Sequence, residues 1–320
     1  MLTKYLWYDV YEKLAGTTFL KKYSPRIILL TGSPSVNASS HTETLGTAEG
    51  GLKVYLYKVN TLNENVIEGK EGLNFLFFHT MHHEFTHILD QNSQRPTAFD
   101  LLSNGKYDVQ NWGELDDSLR AGMGFVSPYG SSMAREDWAE IAASYICFDT
   151  LQWVELLNNA KYEWEEIDID GSQADSINTL RSRSNMVDSI GHVNVISQDA
   201  GTYKLIRKLV ARNADGTVAK NADGSLQYLD KDGINGYDLI LEKLKFVREY
   251  LRDTYGIDID AMRREVQRRT YVTNPDGSFV MQNGYLVNKI TSPLQSDPSK
   301  TVMDSLLQQI DVYEPLMERK

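Results

Sequence analysis

His79-Thr80-Met81-His82-His83-Glu84-Phe85-Thr86-His87-Ile88-Leu89 is the stretch on which the reading of this chain turns. Residues four apart share one face of a helix, so His83 and His87 can offer two imidazoles to a single cation. Glu84 sits about 100° around the helix axis from His83, close enough to reach a water on the metal without ligating it. Two neutral imidazoles leave a zinc ion electrophilic, and the ion lowers the pKa of its bound water to about 7. Glu84 is then placed to take that proton and hand it to the leaving group. Four of the six histidines fall between His79 and His87, a clustering that packing alone does not call for. His79 and His83 form a rival pair at the same spacing, but Thr80 stands where the base would be. His82 faces away from the ligand pair and reads as a packing or supporting residue.

A catalytic zinc takes a third protein ligand and leaves its fourth position to water. A third histidine at the extended spacing of the metzincins would fall near Ser93, and serine there excludes that branch. The other solution is a glutamate from a downstream helix. Glu136-Asp137-Trp138-Ala139-Glu140 offers two carboxylates four apart at a helix start. Glu136 is assigned as the ligand, and Glu140, one turn on, as the acceptor of a ligand histidine's free N–H. The reverse assignment, with Glu140 on the metal and Glu136 or Asp137 supporting it, is compatible with the same spacing. Asp137 also suits an acidic first helical turn.

With these residues in hand, the sequence resembles the gluzincin-type zincins, whose zinc ligands are two histidines of a His-Glu-x-x-His helix and a glutamate of a second helix. The Glu-x-x-Ala-Glu pattern is similar to the second-helix motif of lethal-factor-like zinc proteases, where the first glutamate is the ligand. That resemblance implies a further role: a tyrosine seven residues before the ligand stabilises the oxyanion, and here the position is Tyr129. The chain as a whole resembles the bacterial zinc-binding metallopeptidases called substrate import-associated zinc metallohydrolase lipoproteins. The resemblance rests on His82–Leu89 and Glu136–Glu140, thirteen residues together, and on the order of elements. It implies an exported protein, lipid-anchored at the outer membrane or periplasmic, near nutrient-import components. The chain departs from that pattern in showing no signal-peptide region after Met1 and no lipobox cysteine; Cys147 lies within a helix.

Outward from the histidine helix, Arg26–Thr31 reads as a buried strand. Leu52–Val59 reads as a half-exposed one, with Leu52, Val54 and Leu56 on its inner face and Gly50-Gly51 as the turn before it. The helix itself is expected over Glu71–Gln91, broken by Asn92–Pro96. Ala134–Leu157 reads as one long helix whose Ala139, Ala142 and Ala143 allow close packing. Beyond it the chain reads as mostly helical. Tyr237–Tyr255 has a helical apolar period, with Gly256 to end it and Asp258 or Asp260 to cap the next helix. Asn213–Gly216 and Asn221–Gly224 repeat a turn sequence and bound a small hairpin insertion. Asp230-Lys231-Asp232-Gly233 resembles a calcium-loop fragment, though its glycine falls too early. A hairpin around Asn274–Gly277 and a short amphipathic helix near Thr301–Ile310 close the chain.

Composition sets the outer bounds. The 320 residues carry a formal charge of -11 and a pI near 5.1, which argues against non-specific nucleic-acid binding. A single cysteine permits no intrachain disulfide, and no apolar run approaches the roughly 18 residues of a membrane span. The expected fold is α+β and zincin-like, with a twisted sheet and the active helix in an upper lobe, a mainly helical lower lobe, and a cleft between. Residues 1–270 would form the catalytic domain (upper lobe 1–91, lower lobe 92–270), with 271–320 packed on it as an extension. Strand Leu52–Val59, as the cleft edge, could pair with an extended substrate. The expected activity is hydrolysis of a peptide or protein substrate with one Zn2+ per chain. The alternatives are a zinc hydrolase of a non-peptide amide and an inactive zinc-site binding protein associated with outer-membrane nutrient import.

Overall fold

The computed structural model describes the chain except residues 37–42, 64–65, 68–71, 115, 182–192, 198–201, 230–234 and 318–320. The calcium-like segment Asp230–Gly233 therefore lies outside the described residues. The architecture is mixed, with small sheets and many helices, as an α+β chain should be. None of the helices, among the described residues, is long and apolar enough to cross a membrane.

Helix α1 (Asp9–Tyr23) leads into strands β1 (Ile27–Leu30), β2 (Ser35–Val36), β3 (Glu43–Thr44), β4 (Gly46–Glu49) and β5 (Lys53–Leu56). β2 and β3 pair with each other. The other three form a sheet in the order β1-β5-β4, with β5 parallel to β1 and antiparallel to β4. Gly50 and Gly51 both take positive φ, 59° and 69°, and Leu52 N donates to Glu49 O at 3.1 Å. A two-glycine turn of this hand matches the strand twist and makes β4 and β5 a tight hairpin. Val54 and Leu56 are buried as expected, whereas Leu52 is 59% exposed in the turn.

Two strand expectations need correction. β5 is the middle strand, so the free edge beside it is β4, which pairs only with β5 among the described residues. β1, read as buried, is the opposite edge, and its Ile27, Leu29 and Leu30 are 53%, 44% and 60% exposed. An apolar run records that a strand can be covered, not that it is; a strand paired on one side leaves half its surroundings to solvent or to other partners.

A wide turn of π-helix, Asn74–Phe78, runs into α2 (His79–Asn92), the histidine helix. α2 packs against β4 and β5. At the crossing a methyl group on Gly46 would stand 2.4 Å from Thr80 Cγ2, 3.0 Å from Tyr55 O and 3.6 Å from Glu84 Cγ. Glycine is thus what lets the edge strand come against the helix at Glu84. Gly46→Ala is expected to cost about 1–3 kcal/mol through overpacking. Thr80→Ser, which deletes the clashing methyl, should recover part of it; equal denaturation midpoints for wild type and Gly46→Ala would contradict the close approach.

The far side of α2 is clasped by aromatic side chains. Trp7 and Tyr11 meet Phe85 edge-on at 4.9 and 5.0 Å between centroids, and Phe19 does so at 6.0 Å. Such pairs add about 0.5–1.5 kcal/mol each beyond the area they bury.

Helices α3 (Thr97–Leu102) and α4 (Asp117–Gly122) precede α5 (Ala134–Cys147) and α6 (Thr150–Asn159). The single long helix expected over Ala134–Leu157 is therefore two. Its break has a tertiary cause. Gln267 Nε2 donates to the carbonyls of Ile146, Cys147 and Phe148 at 3.1, 3.2 and 3.1 Å, and Arg263 donates to those of Tyr145 and Asp149. Carbonyls satisfied from outside need no further helical turn.

The expectation of a mostly helical remainder is also corrected. β6 (Trp164–Asp170), α7 (Gly171–Arg181), β7 (Val193–Ser197) and β8 (Thr202–Lys208) follow, and the strands form an antiparallel sheet in the order β6-β8-β7. Its charged residues pair across strands, Lys204 with Glu166 and Arg207 with Glu165, which supports strands that are poor in apolar residues. The Asn-Ala-Asp-Gly segments are turns in a bridged region: Asp215 accepts from Thr217 and Asp223 from Ser225 in the same way.

Two long helices complete the pattern, α8 (Gly236–Tyr255) and α9 (Ile259–Thr270). Asp258 caps α9 by accepting from the Asp260 and Ala261 amides. A short hairpin of β9 (Met281–Gln282) and β10 (Tyr285–Leu286) precedes α10 (Val302–Met317), which is longer than the expected Thr301–Ile310 helix.

The chain packs as two compact units: Met1–Phe99 with Trp138–Thr150 and Leu244–Lys320, and Asp100–Asp137 with Leu151–Lys243. In the first, Glu265 of α9 faces Lys13 at 2.7 Å, Arg269 at 2.8 Å and Arg268 at 2.9 Å. Burial pushes its carboxyl up, but these cations outweigh it and hold it at about 2, below its ordinary 4.5. A carboxyl lowered on folding contributes its full stability above pH 4.5 and loses it as pH falls toward 2. Glu265→Gln should therefore be less stable than wild type at neutral pH, with the gap closing between about pH 5 and pH 2. A gap that stayed constant in pH-dependent unfolding would remove the ionic origin.

Candidate metal centre

His83 and His87 stand one turn apart on α2, and their Nε2 atoms converge to 3.0 Å. Two nitrogens bound to one tetrahedral zinc at 2.0–2.1 Å lie about 3.3 Å apart, so the separation is close to that of a zinc pair. Glu136, in the first turn of α5, brings a carboxylate oxygen to the same place: the ligand atoms of His83, His87 and Glu136 all lie within 4.8 Å of one another. Two nitrogens and one carboxylate oxygen are a donor set suited to zinc, with a fourth position to spare. His83 and Glu136 are buried, at 6% and 3% exposure, and His87 is partly so. Arg135 Nε donates to Glu136 Oε1 at 3.0 Å.

Glu140 takes the other side of His83. Its Oε1 accepts from His83 Nδ1 at 2.6 Å, which turns the lone pair of His83 Nε2 toward His87 and Glu136. A carboxylate behind a ligand imidazole fixes both tautomer and ring orientation. Glu84, 8% exposed, follows His83 on α2 and lies beside Gly46 of β4.

The remaining histidines of the cluster are turned elsewhere. His79 Nε2 is 3.2 Å from Ser144 Oγ and 3.5 Å from Glu140 Oε2, so the rival pair does not converge as His83 and His87 do. His82 Nδ1 is 3.1 Å from the Tyr11 hydroxyl, on the aromatic side of the helix. Burial lowers the imidazole pKa of both, that of His82 to about 3, which keeps these rings neutral at physiological pH.

Tyr129 occupies a 3-10 turn, Tyr129–Ser131, and is 39% exposed. Its ring meets Trp112 edge-on at 5.0 Å, and its carbonyl accepts from Ser132 Oγ at 2.7 Å. The structure thus gathers His83, His87, Glu136 and Glu140, and for Tyr129 it gives surroundings rather than a role.

Three features next to this set do not follow from the sequence: the partners of Asp137, the place of Ser144 and the close approach at Gly46. Asp137, the residue after Glu136, is buried in an ion pair with Lys243 at 2.6 Å and accepts from the Tyr107 hydroxyl at 2.9 Å. The available signal was a lysine on the apolar stripe Ile240, Leu244, Val247 of α8. Ser144, four after Glu140, lies on the same helical face, as its contact with His79 shows. Gly46 carried no signal beyond being a glycine in a strand.

Residues 1–260 match the family model described as "Putative zinc-binding metallo-peptidase". Among solved structures the chain is similar to a putative zinc-binding metallo-peptidase from Bacteroides caccae ATCC 43185. The two are 26% identical with a TM-score of 0.53, over 84% of this chain and 73% of that one. No curated protein matches the chain.

Proposed function

Because the chain belongs to the family described as "Putative zinc-binding metallo-peptidase", we propose that it is a zincin-like metallopeptidase that hydrolyses peptide bonds with one zinc per chain. The observation that carries this reading is the convergence of His83 and His87 Nε2 at 3.0 Å with Glu136 alongside and Glu84 next in the chain. His83, His87 and Glu136 would hold the ion. Zinc in such a site supplies Lewis acidity, polarising a scissile carbonyl and acidifying a water.

The protein's own groups account for the rest. Glu84 takes the proton from the attacking water and delivers it to the departing amine, so one carboxylate serves as base and then acid. Glu140 keeps His83 oriented by accepting its Nδ1–H. Tyr129, by the family resemblance, donates its phenolic hydrogen to the developing oxyanion. β4, an edge strand among the described residues, is the edge along which an extended peptide can pair, in place of the strand Leu52–Val59. Its Gly46 brings that edge beside Glu84. By the same resemblance the protein works outside the cytoplasm, lipid-anchored at the outer membrane or in the periplasm, near import components.

The test is metal analysis joined to peptide turnover. The purified chain should carry about one zinc, cleave members of a mixed peptide library, lose cleavage on chelation and regain it with added zinc. Native protein that takes up no zinc ends the reading. Zinc uptake with no cleavage of any peptide ends the peptidase part of it.

A further inference from the structure

The carboxylate of Glu140 has an imidazole nitrogen near each of its oxygens. One oxygen accepts from His83 Nδ1 at 2.6 Å, and the other lies 3.5 Å from His79 Nε2. That same nitrogen stands 3.2 Å from Ser144 Oγ. His79 and His83 are one turn apart on α2, and Glu140 and Ser144 are one turn apart on α5. The four side chains therefore form a two-rung ladder between the helices. The His79 ring lies nearly parallel to that of Phe148, 6.2 Å between centroids, and Glu140 and Ser144 are 5% and 0% exposed.

A carboxylate engaged through one oxygen can still rotate about its last bond. Holding the second oxygen fixes the direction of the first. We propose that His79, whose Nε2–H lies between Ser144 Oγ and Glu140 Oε2, is a positioning residue for the metal centre, restraining Glu140 so that Glu140 in turn aims His83 at the ion. The inference rests on the reading of His83 as a zinc ligand. It explains why the rung below the ligand pair carries a histidine with a polar partner, where an apolar side chain would complete the packing between two helices.

Two substitutions at His79 separate positioning from packing. Phenylalanine keeps a ring beside Phe148 but has no N–H for Glu140. Glutamine gives up the ring and can present an amide N–H at about the reach of Nε2. Zinc affinity of the full chain would be measured by competition with a chromophoric chelator, together with the melting temperature of the metal-free protein. Removal of a partner behind a metal ligand costs about 10–100-fold in affinity. Because His79 stands one contact further out, behind Glu140, His79→Phe is expected to weaken zinc binding about tenfold, the low end of that range, and His79→Gln to stay within about threefold of wild type. Metal-free stability should follow the opposite order. Wild-type affinity in His79→Phe, or equal losses in both variants, overturns the proposal. Should neither variant fold, Ser144→Ala reads the same contact: weaker zinc binding supports the ladder and unchanged binding overturns it. A wild-type chain that takes up no zinc fails at the level of the metal centre, whereas a zinc-binding wild type with unaffected variants removes only the role of His79.

Discussion

Glu84→Gln is expected to keep its zinc and lose peptide turnover by about 10²–10⁴-fold, the usual range for a general acid–base group. Glutamine matches the side chain in size, so its close approach to Gly46 survives. It has no basic oxygen to receive a proton. Zinc content should be unchanged because His83, His87 and Glu136 converge without Glu84. The loss should fall on kcat, with KM little altered, since the missing interaction belongs to the transition state. Single-turnover rates and metal content on one preparation check both halves. Turnover within a few-fold of wild type would mean that another group moves the proton. Loss of zinc along with activity would mean that Glu84 helps build the site.

Lys243→Met should produce the largest loss of stability, about 3–5 kcal/mol, the cost of stranding one partner of a buried ion pair. Lys243 and Asp137 are both 0% exposed and 2.6 Å apart. Lys243 also donates to Gly124 O at 2.7 Å, and its Nζ sits 4.1 Å from the Phe125 ring centroid. Burial lowers the lysine's pKa, and Asp137 acts against that. Methionine fills the space but leaves Asp137 facing apolar surroundings with only part of its hydrogen bonding. The unfolding transition of the unit holding the pair should fall by on the order of 10 °C. The double variant Lys243→Met with Asp137→Leu should be more stable than Lys243→Met alone, because no charge is then left buried. A single variant within 1 kcal/mol of wild type would show that the pair contributes through neither charge. Since Asp137 adjoins Glu136, weaker zinc binding should accompany the loss.

What was legible in the sequence follows from range. His83, Glu84 and His87 lie on one helix, and helical spacing relates them without tertiary knowledge. Glu136 and Glu140 were legible as a pair for the same reason. Which of the two stands behind His83 depends on how α2 and α5 lie together, and it took the 2.6 Å contact to show it. The break after Cys147 was invisible because its cause, Gln267, lies 121 residues beyond Ile146. β6 and β8 carry little apolar alternation, because they draw on cross-strand charges such as Glu166 with Lys204, and those show only once the strands are paired. β1 shows the converse: its apolar run predicts cover, yet Leu30 is 60% exposed.

The last carbonyls of the histidine helix carry a consequence for biosynthesis. Tyr250 and Tyr255 both donate their hydroxyls to Leu89 O, at 3.1 and 2.6 Å, and Tyr250 reaches Ser93 O as well. Those tyrosines are synthesised some 160 residues after the carbonyls they satisfy. The unit containing α2 is likewise assembled from three stretches, the last beginning at Leu244. Contacts so distant in sequence form late and slowly. While the ribosome is still extending the chain toward Leu244, the histidines already exist but the end of their helix is not yet tied down. Metal capture in its final geometry thus belongs to the nearly finished polypeptide, and a nascent chain stalled before α8 would expose its imidazoles without the frame that aims them.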